Sequence, residues 1–275
     1  MKTTHVGSLP FDNIEDALNY TFRFDVPVIF TLPNLNKKDF IHLEVIDLLD
    51  CGSFKDGKID LDLNRNSKSI KLRYEEEFLK RFNRSEKKVF KIQLIGPVSL
   101  YSLSNHNYSL QEVSDFLIEK YSELSQRLNK FGDLFFCIDE PLLNKTVLNK
   151  VKIINSFLKS LPMPKELVGI HSCCKLPVEE INKIECSNMN LDCSLYSIEE
   201  LNSIDQFSFP GGLNKILLNN HCAKISCINL EKINYLSPSC GLYYESLNSL
   251  DRIFNELGET KNKVHHLLEQ NLLKS

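Results

Sequence analysis

Short apolar runs alternate along the chain with amphipathic stretches, and this alternation constrains the fold more than any other feature of the sequence. Strands that alternate with helices predict βαβ units and a parallel sheet. Eight such runs within 275 residues predict a single (β/α)8 TIM barrel over residues 1–275, and an open, doubly wound sheet is the alternative. The predicted strands are His5–Leu9, Val26–Leu32, Val89–Ile95, Leu134–Ile138, Leu167–Ile170, Met189–Cys193, Gln206–Phe209 and Tyr235–Leu236.

Between these runs, apolar residues recur at the three-to-four-residue spacing of helices. Two further segments lack a single assignment. Cys51–Ser69 is polar and turn-rich, which favours a long loop or a small hairpin, and Ala223–Ile228 is either a ninth strand or part of a connection. The predicted helices are Ile14–Phe22, Lys71–Phe82, Leu110–Lys130, Lys145–Leu161, Val178–Ile184, Leu213–Asn219, Leu247–Leu257 and Lys263–Leu273.

Charge and hydropathy exclude several classes of function. The 33 basic and 36 acidic residues give a net charge of −3, without the basic excess of a nucleic-acid-binding domain. No apolar run approaches the roughly 18 residues of a membrane helix, and the first residues lack the apolar core of a signal peptide. The glycine motifs that bind nucleotide phosphates are also absent. We therefore expect a cytoplasmic protein with no nucleic-acid or membrane partner.

The nine cysteines are a high and odd number for a chain of this length. Proteins built on a disulfide framework are normally short and secreted, and they have an even number of cysteines. We therefore expect reduced thiols, most of them buried as small apolar side chains and a few bound to metal.

In a (β/α)8 barrel, the reactive side chains lie on the loops that follow the C-terminal ends of the strands. The fifth predicted strand is followed by His171 and Cys173, whose side chains share one face of an extended segment. Cys240 follows the eighth predicted strand, and Asp192 lies at the end of the sixth. Zinc accepts nitrogen, sulfur and carboxylate ligands, so these four residues are candidate ligands of one Zn²⁺. A buried histidine beside a core cysteine is the alternative.

Other strand ends carry candidate substrate-binding groups. Asp139 and Glu140 follow a very apolar strand, where a carboxylate can bind a substrate amine or transfer a proton, and Asp139 is the candidate catalytic residue. Alternatively, the two residues begin the next helix. Gly7 and Ser8 end the first predicted strand, where backbone N–H groups can bind an anionic group. Gly96, which precedes a proline, predicts a tight turn.

Five strand-end motifs occur together and in a fixed order. Taken together, they resemble the catalytic barrel of cobalamin-independent methionine synthase and its short relatives in the uroporphyrinogen-decarboxylase-like superfamily. The resemblance extends over essentially the whole chain. The motifs are Thr4–Pro10, Gln93–Pro97, Ile138–Pro141, Val168–Cys173 and Ser237–Leu242.

This resemblance implies a barrel that binds one zinc ion and transfers a methyl group to a thiol substrate, homocysteine, to give methionine. It implies that Asp139 holds the amino group of the amino-acid thiol and that Ser8 binds its carboxylate. Asp192 stands where the family has a glutamate ligand. The implied zinc ligands are His171, Cys173, Asp192 and Cys240.

The chain departs from the family pattern in three respects. The family's substrate-binding glutamate near the second strand has no clear counterpart, and His42 lies roughly where it is expected. Residues 209–214, at the seventh strand, lack the family's proton-donating histidine. The large N-terminal half of the folate-dependent enzyme also has no counterpart. The methyl donor is therefore open between folate, methylcobalamin on a corrinoid partner protein, and a free methylated small molecule.

Two other functions compete with methyl transfer. A decarboxylase related to uroporphyrinogen decarboxylase would need an arginine-lined pocket, whereas no arginine lies beside Gly7 and Ser8 in the sequence. A zinc-binding or thiol-binding barrel without catalytic activity is the other alternative, and the missing histidine favours it.

Overall fold

The computed structural model describes residues 1–39, 41–63, 70–205, 208–213 and 230–272. The predicted strand or connection Ala223–Ile228 lies outside the described residues. So does the predicted helix Leu213–Asn219, apart from its first residue. The strands are β1 (Lys2–Thr3), β2 (Gly52–Lys55), β3 (Lys58–Leu61), β4 (Val89–Ile95), β5 (Asp133–Asp139), β6 (Val168–Ser172), β7 (Asn188–Asp192), β8 (Phe209–Gly211) and β9 (Tyr235–Leu236).

The described residues form an α/β fold around a parallel sheet of five strands in the order β4-β5-β6-β7-β8. The predicted strands at β4 and β9 are confirmed with the same bounds, and those at β5 to β7 are confirmed to within two residues. The first strand was predicted at residues 5–9, which is too far along the chain. Strand β1 consists of residues 2–3, and these pair with β9.

The second predicted strand, Val26–Leu32, does not form a continuous strand. It pairs with its neighbours only through two parallel bridges, Val28 to Lys91 and Ser8 to Thr31. Pro27 contributes to the difference, because proline has no N–H to donate to a neighbouring strand. The carbonyl of Pro27 still accepts a hydrogen bond of 2.8 Å from the Lys91 amide.

The helices flank the strands, and none of those described has both the length and the apolarity that crossing a bilayer requires. The described part of the chain also forms four short 3-10 turns, at Lys37–Asp39, Lys165–Leu167, Cys193–Leu195 and Leu230–Lys232. The helices are α1 (Ile14–Thr21), α2 (Ile41–Leu49), α3 (Glu75–Phe82), α4 (Pro97–Leu103), α5 (Leu110–Leu128), α6 (Lys150–Ser160), α7 (Val178–Ile181), α8 (Ile198–Asn202) and α9 (Leu247–Leu272).

Side-chain caps explain where several helices begin. The side chain of Asn13 accepts from the amide of Asp16 at α1, and Ser109 forms a reciprocal capping box with Glu112 at α5. Helices α2 and α4 were not predicted from the sequence. The last helix was predicted as two, whereas α9 is continuous through Gly258, where an added Cβ would have no atom within 4 Å beyond its chain neighbours and the helix's own backbone.

The segment that follows α2 resolves one open assignment. β2 and β3 pair antiparallel from Gly52 with Leu61 to Lys55 with Lys58, so the hairpin alternative is correct for the described part of Cys51–Ser69. This hairpin is separate from the parallel sheet.

The parallel sheet is strongly curved. A parallel bridge joins Gly211 to Ser237, which extends the sheet order from β8 to β9. The ring of Phe135 on β5 nevertheless stacks on Tyr235 of β9, with centroids 4.7 Å apart, and lies 5.7 Å from Phe209 of β8. Strands four places apart in one sheet make such contacts only if the sheet bends back toward itself.

The apolar side chains divide into two clusters. Val26, Phe135, Phe209 and Tyr235 form a small cluster on the concave side of the sheet, and a much larger cluster packs the strands against the helices. Lys91 is also fully buried, and its Nζ donates to the His5 carbonyl at 2.8 Å. The concave side is therefore filled at this depth.

The cysteines are reduced wherever the structure describes them. Four of them are buried, as expected for small apolar side chains, whereas Cys222 and Cys227 lie outside the described residues. The buried ones are Cys51, Cys137, Cys186 and Cys193.

A buried carboxylate fixes the start of α4. Glu140, directly after β5, accepts hydrogen bonds from the amides of Val98 (3.0 Å) and Ser99 (2.7 Å). Gly96 lies so close that an added Cβ would be 2.2 Å from Glu140 Oε1 and 2.6 Å from a methyl carbon of Ile138. Gly96 is therefore required for this close approach.

We expect Gly96→Ala to lower the free energy of unfolding by about 1–3 kcal/mol, because overpacking displaces the buried Glu140 carboxylate. Gly258→Ala is the matched control. It places a methyl group in open space on α9 and should stabilise the protein by about 0.5–1 kcal/mol. Urea denaturation measures the free energy of unfolding of both variants. Equal stability of the two would contradict the close approach of Gly96 to Glu140.

Candidate functional site

A cavity of about 270 Å³ opens at the C-terminal ends of the parallel strands. Its walls come from the segments after β1, β4, β5, β6 and β9 and from α2, so distant parts of the chain meet there. Concave sites at this end of a parallel sheet are where α/β proteins bind ligands. Its polar lining includes Ser8, Glu44, Gln93, Asp139, His171 and Cys240.

The structure brings together three of the four candidate metal ligands. The ligand atoms of His171, Cys173 and Cys240 all lie within 4.8 Å of one another. His171 is the fourth residue of β6 and Cys173 follows the strand, so the two side chains share a face. Cys240 comes from the loop after β9. A 2.9 Å hydrogen bond from the Leu242 amide to the Ser8 carbonyl holds this loop against the segment that follows β1.

Hydrogen bonds within this cluster favour charge on one sulfur. The Cys173 thiol and the His171 ring donate to the Cys240 sulfur, which lowers the pKa of Cys240 below its ordinary value and raises the pKa of Cys173. Burial opposes protonation of His171, but the Cys240 thiolate and Asp139 outweigh it and raise the pKa of the imidazole. A thiolate beside an imidazole is a donor set suited to a soft divalent cation.

An asparagine supports the histidine of this cluster. His171 Nδ1 lies 2.5 Å from Asn190 Oδ1, on the neighbouring strand β7. Both residues are buried, at 1% and 0% exposure. Asn190 was not among the predicted site residues, although its position beside His171 follows once the strand order is known.

The prediction of Asp192 as a fourth ligand is not supported, because Asp192 does not belong to the group of converging donors. Its carboxylate instead accepts hydrogen bonds from the amide (3.0 Å) and the hydroxyl (2.6 Å) of Ser194. Asp192 therefore caps the 3-10 turn that follows β7. Aspartate is shorter than the glutamate of the family, and this local cap is within its reach.

Asp139 presents a buried oxygen that has no protein partner. Asp139 and Gln93 both line the cavity, and their Oδ1 and Oε1 atoms are buried and accept no hydrogen bond within the structure. Burial raises the pKa of Asp139 above its ordinary value. The Gln93 side chain also hydrogen-bonds to the Asp139 carboxyl, and the two remaining acceptor atoms could each accept from a ligand that brings N–H groups.

Glu140 points away from the cavity, so its prediction as a substrate ligand was wrong. Consecutive residues at a strand end face opposite sides, and Glu140 caps α4 while Asp139 faces the cavity. The alternative that the two residues begin the next helix is not confirmed, because that helix, α6, begins at Lys150, and Glu140 caps the earlier helix α4 instead.

Gly7 and Ser8 both line the cavity. An added Cβ at Gly241 would lie 2.2 Å from Ser8 Oγ. The absence of a side chain at Gly241 thus allows the loop carrying Cys240 to close over the first strand.

The cavity also contains residues that the sequence did not reveal. Glu44 of α2 lines it, and burial together with the nearby carboxylates of Asp39 and Asp139 raises the pKa of Glu44 to about 8. Glu44 thus supplies a carboxyl group in the region where the sequence offered only His42, whose side chain lies outside what the structure describes. The sequence did not point to Glu44 because α2, the helix that carries it, does not directly follow a predicted strand.

No family model and no curated protein matches the chain. Among solved structures, a B12-independent methionine synthase from Shewanella sp. W3-18-1, in complex with selenomethionine, superimposes with a TM-score of 0.68. The match covers 99% of each chain at 15% sequence identity. The chain has the fold of that methionine synthase. This is the fold that the resemblance of the sequence motifs implied.

We expect Glu140→Gln to destabilise the protein by about 1–3 kcal/mol without changing metal or substrate binding, because one helix-start amide of α4 loses its acceptor. The control is Glu112→Gln, which alters the same kind of helix cap on an exposed surface and should cost less. Chemical denaturation and a binding titration separate the two effects. A stable Glu140→Gln protein that no longer binds substrate would contradict a purely structural role.

Proposed function

We propose that the protein is a zinc-dependent methyltransferase that methylates the thiol of homocysteine to give methionine. The observation that carries this proposal is the convergence of His171, Cys173 and Cys240 beside the buried acceptors of the same cavity. The similar Shewanella protein is a methionine synthase whose structure holds selenomethionine, an analogue of methionine. This likeness supports the proposal for the present chain.

We also propose that the eight parallel segments close into one (β/α)8 barrel that forms a single catalytic domain over residues 1–275. Consecutive pairings support this closure: β1 with β9, Ser8 with Thr31, Val28 with Lys91, then β4 through β8, and Gly211 with Ser237. A closed barrel accounts for the contact of Phe135 with Tyr235 across the concave side.

The donor set fits zinc. The imidazole of His171 and the thiols of Cys173 and Cys240 offer three ligand atoms. A catalytic zinc site uses three protein ligands and leaves one coordination position open. Zinc bound there would lower the pKa of a substrate thiol, so that the thiolate nucleophile is present at neutral pH. Because Asp192 does not converge with these donors, we propose a three-residue site.

The carboxyl groups of the cavity recognise the substrate amine in this proposal. Asp139 Oδ1 and Gln93 Oε1 provide acceptors for an ammonium group, and Glu44 adds a second carboxyl group. Ser8 and Gly7, which also line the cavity, are the candidates for the carboxylate end. An amino acid held at both ends has its side-chain sulfur directed to one place, so proximity supplies much of the rate enhancement.

The reaction requires only a displacement at carbon. The substrate thiolate attacks the methyl carbon, a carbon–sulfur bond forms, and the bond from carbon to the donor breaks, with the electron pair leaving on the donor. A corrinoid donor gains no support, since the similar enzyme is B12-independent. We propose a small-molecule donor.

The competing functions make different demands on the same cavity. A decarboxylase of the uroporphyrinogen type works without metal, which leaves the approach of three metal-binding donors unexplained. A barrel without catalytic activity would bind zinc and homocysteine but would release no methionine.

We place the protein in the cytoplasm, where reduced cysteine ligands persist.

The purified protein should contain about one zinc ion per chain by elemental analysis, with homocysteine-dependent methionine formation detected by mass spectrometry. His171→Ala and Cys240→Ser should each lose most of the zinc and the activity, whereas Cys186→Ser, a buried thiol outside the cavity, should retain both. Metal-free, folded wild-type protein after growth with zinc would contradict the proposal. Zinc without turnover on any donor would favour the non-catalytic alternative.

Binding of methionine should strengthen as the pH rises from 6.5 toward 8. The pKa of Glu44 is about 8 in the free protein, so ammonium binding to its ionised form must release a proton below that pH. The dissociation constant should fall by up to about tenfold per pH unit in this range. Glu44→Gln should show a weaker pH dependence by calorimetry. An unchanged pH profile in that variant would remove Glu44 from the substrate-binding site.

A further inference from the structure

The buried side chain of Asn190 contacts three segments that meet at the candidate metal centre. Asn190 Oδ1 lies 2.5 Å from His171 Nδ1 on β6. Asn190 Nδ2 donates to the carbonyl of Phe209 on β8 at 2.9 Å and to Ser237 Oγ, directly after β9, at 3.0 Å. The Asn190 side chain thus uses its oxygen and both of its amide protons, and the residue has no exposed surface.

These contacts leave the amide only one orientation. Ser237 Oγ donates its own proton to the Pro238 carbonyl at 2.8 Å, so it must accept from Asn190. The Phe209 carbonyl is an acceptor as well. The two protons of Asn190 Nδ2 are therefore used by these two acceptors, and Oδ1 must face His171.

The orientation of Asn190 determines the tautomer of His171. Because Asn190 Oδ1 can only accept, His171 must carry a proton on Nδ1 and donate it there. The neutral ring then has its lone pair on Nε2. A ligating histidine is commonly oriented in this way by a hydrogen bond from its other ring nitrogen.

We infer that Asn190 is a positioning residue that commits His171 Nε2 to the metal and holds the two ligand-bearing segments together. Ser237, which Asn190 also contacts, lies three residues before Cys240 on the same loop. One amide thus connects the strand that carries His171 and Cys173 with the loop that carries Cys240. The inference rests on the proposed metal centre, and the sequence motifs did not include Asn190.

The neighbouring Asn188 provides a matched control. Asn188 lies two residues earlier on β7 and is 1% exposed, and its Nδ2 also donates two hydrogen bonds to backbone carbonyls, those of Glu166 (2.9 Å) and Val168 (3.0 Å). It makes no hydrogen bond to His171. Replacement of either asparagine by leucine removes two strand-bridging hydrogen bonds, but only Asn190→Leu removes the acceptor for His171.

The test measures zinc affinity by competition with a chromophoric chelator for the wild type, Asn190→Leu and Asn188→Leu. Asn190→Leu should bind zinc about 10-fold to 100-fold more weakly than the wild type, because His171 loses its orienting partner. Asn188→Leu should retain the wild-type affinity. In the zinc-loaded wild type with ¹⁵N-labelled histidine, NMR should show the His171 proton on Nδ1 and the metal on Nε2.

Equal zinc affinities of the two folded leucine variants would overturn the inference, as would NMR signals with the metal on Nδ1. If Asn190→Leu does not fold, Ser237→Ala takes its place. It removes one anchor of the amide and should weaken zinc binding about fivefold, the value of one hydrogen bond of about 1 kcal/mol, and unchanged affinity would overturn the inference. A wild type that binds no zinc would instead refute the proposed function itself, which separates the two failures.

Discussion

The register of the parallel strands β4 to β8 is the constraint on which the site depends. Ile95 pairs with Asp139, Asp139 with His171, His171 with Asn190 and Asn190 with Phe209, so one line across the sheet carries most of the relevant side chains. A slip of one residue would turn every side chain of a strand to the other face. The apolar residues on both faces oppose such a slip, since it would also disrupt the two clusters.

The same register explains why adjacent acidic residues serve different purposes. Asp139 ends β5 on the cavity side and keeps an unpaired oxygen, whereas Glu140 turns outward and satisfies two amides at the start of α4. One dipeptide thus combines a carboxylate that holds a helix in place with a carboxylate that lines the cavity. The strands determine where the cavity lies. The orientation of its walls also depends on helix caps and glycines next to the strand ends, such as Gly96.

Much of the sheet could be predicted from the sequence because buried parallel strands are short, apolar and bounded by glycine, proline or polar residues. His171, Cys173 and Cys240 could be predicted because all three lie at the end of a strand or within a few residues after it. Residues that reach the cavity from elsewhere could not: Glu44 comes from α2, and its approach depends on how the connection after Leu32 folds. Asp192 was predicted as a ligand from its place at a strand end, but its carboxylate binds Ser194 in the turn that follows.

X-ray absorption at the zinc edge tests the central claim most directly, because it counts the atoms around the metal. The account predicts one nitrogen and two sulfur neighbours from the protein, at about 2.0–2.1 Å and 2.3 Å, in the zinc-loaded wild type. Homocysteine should add one sulfur to this count. A shell of oxygen and nitrogen alone, or one unaltered by homocysteine, would contradict the account.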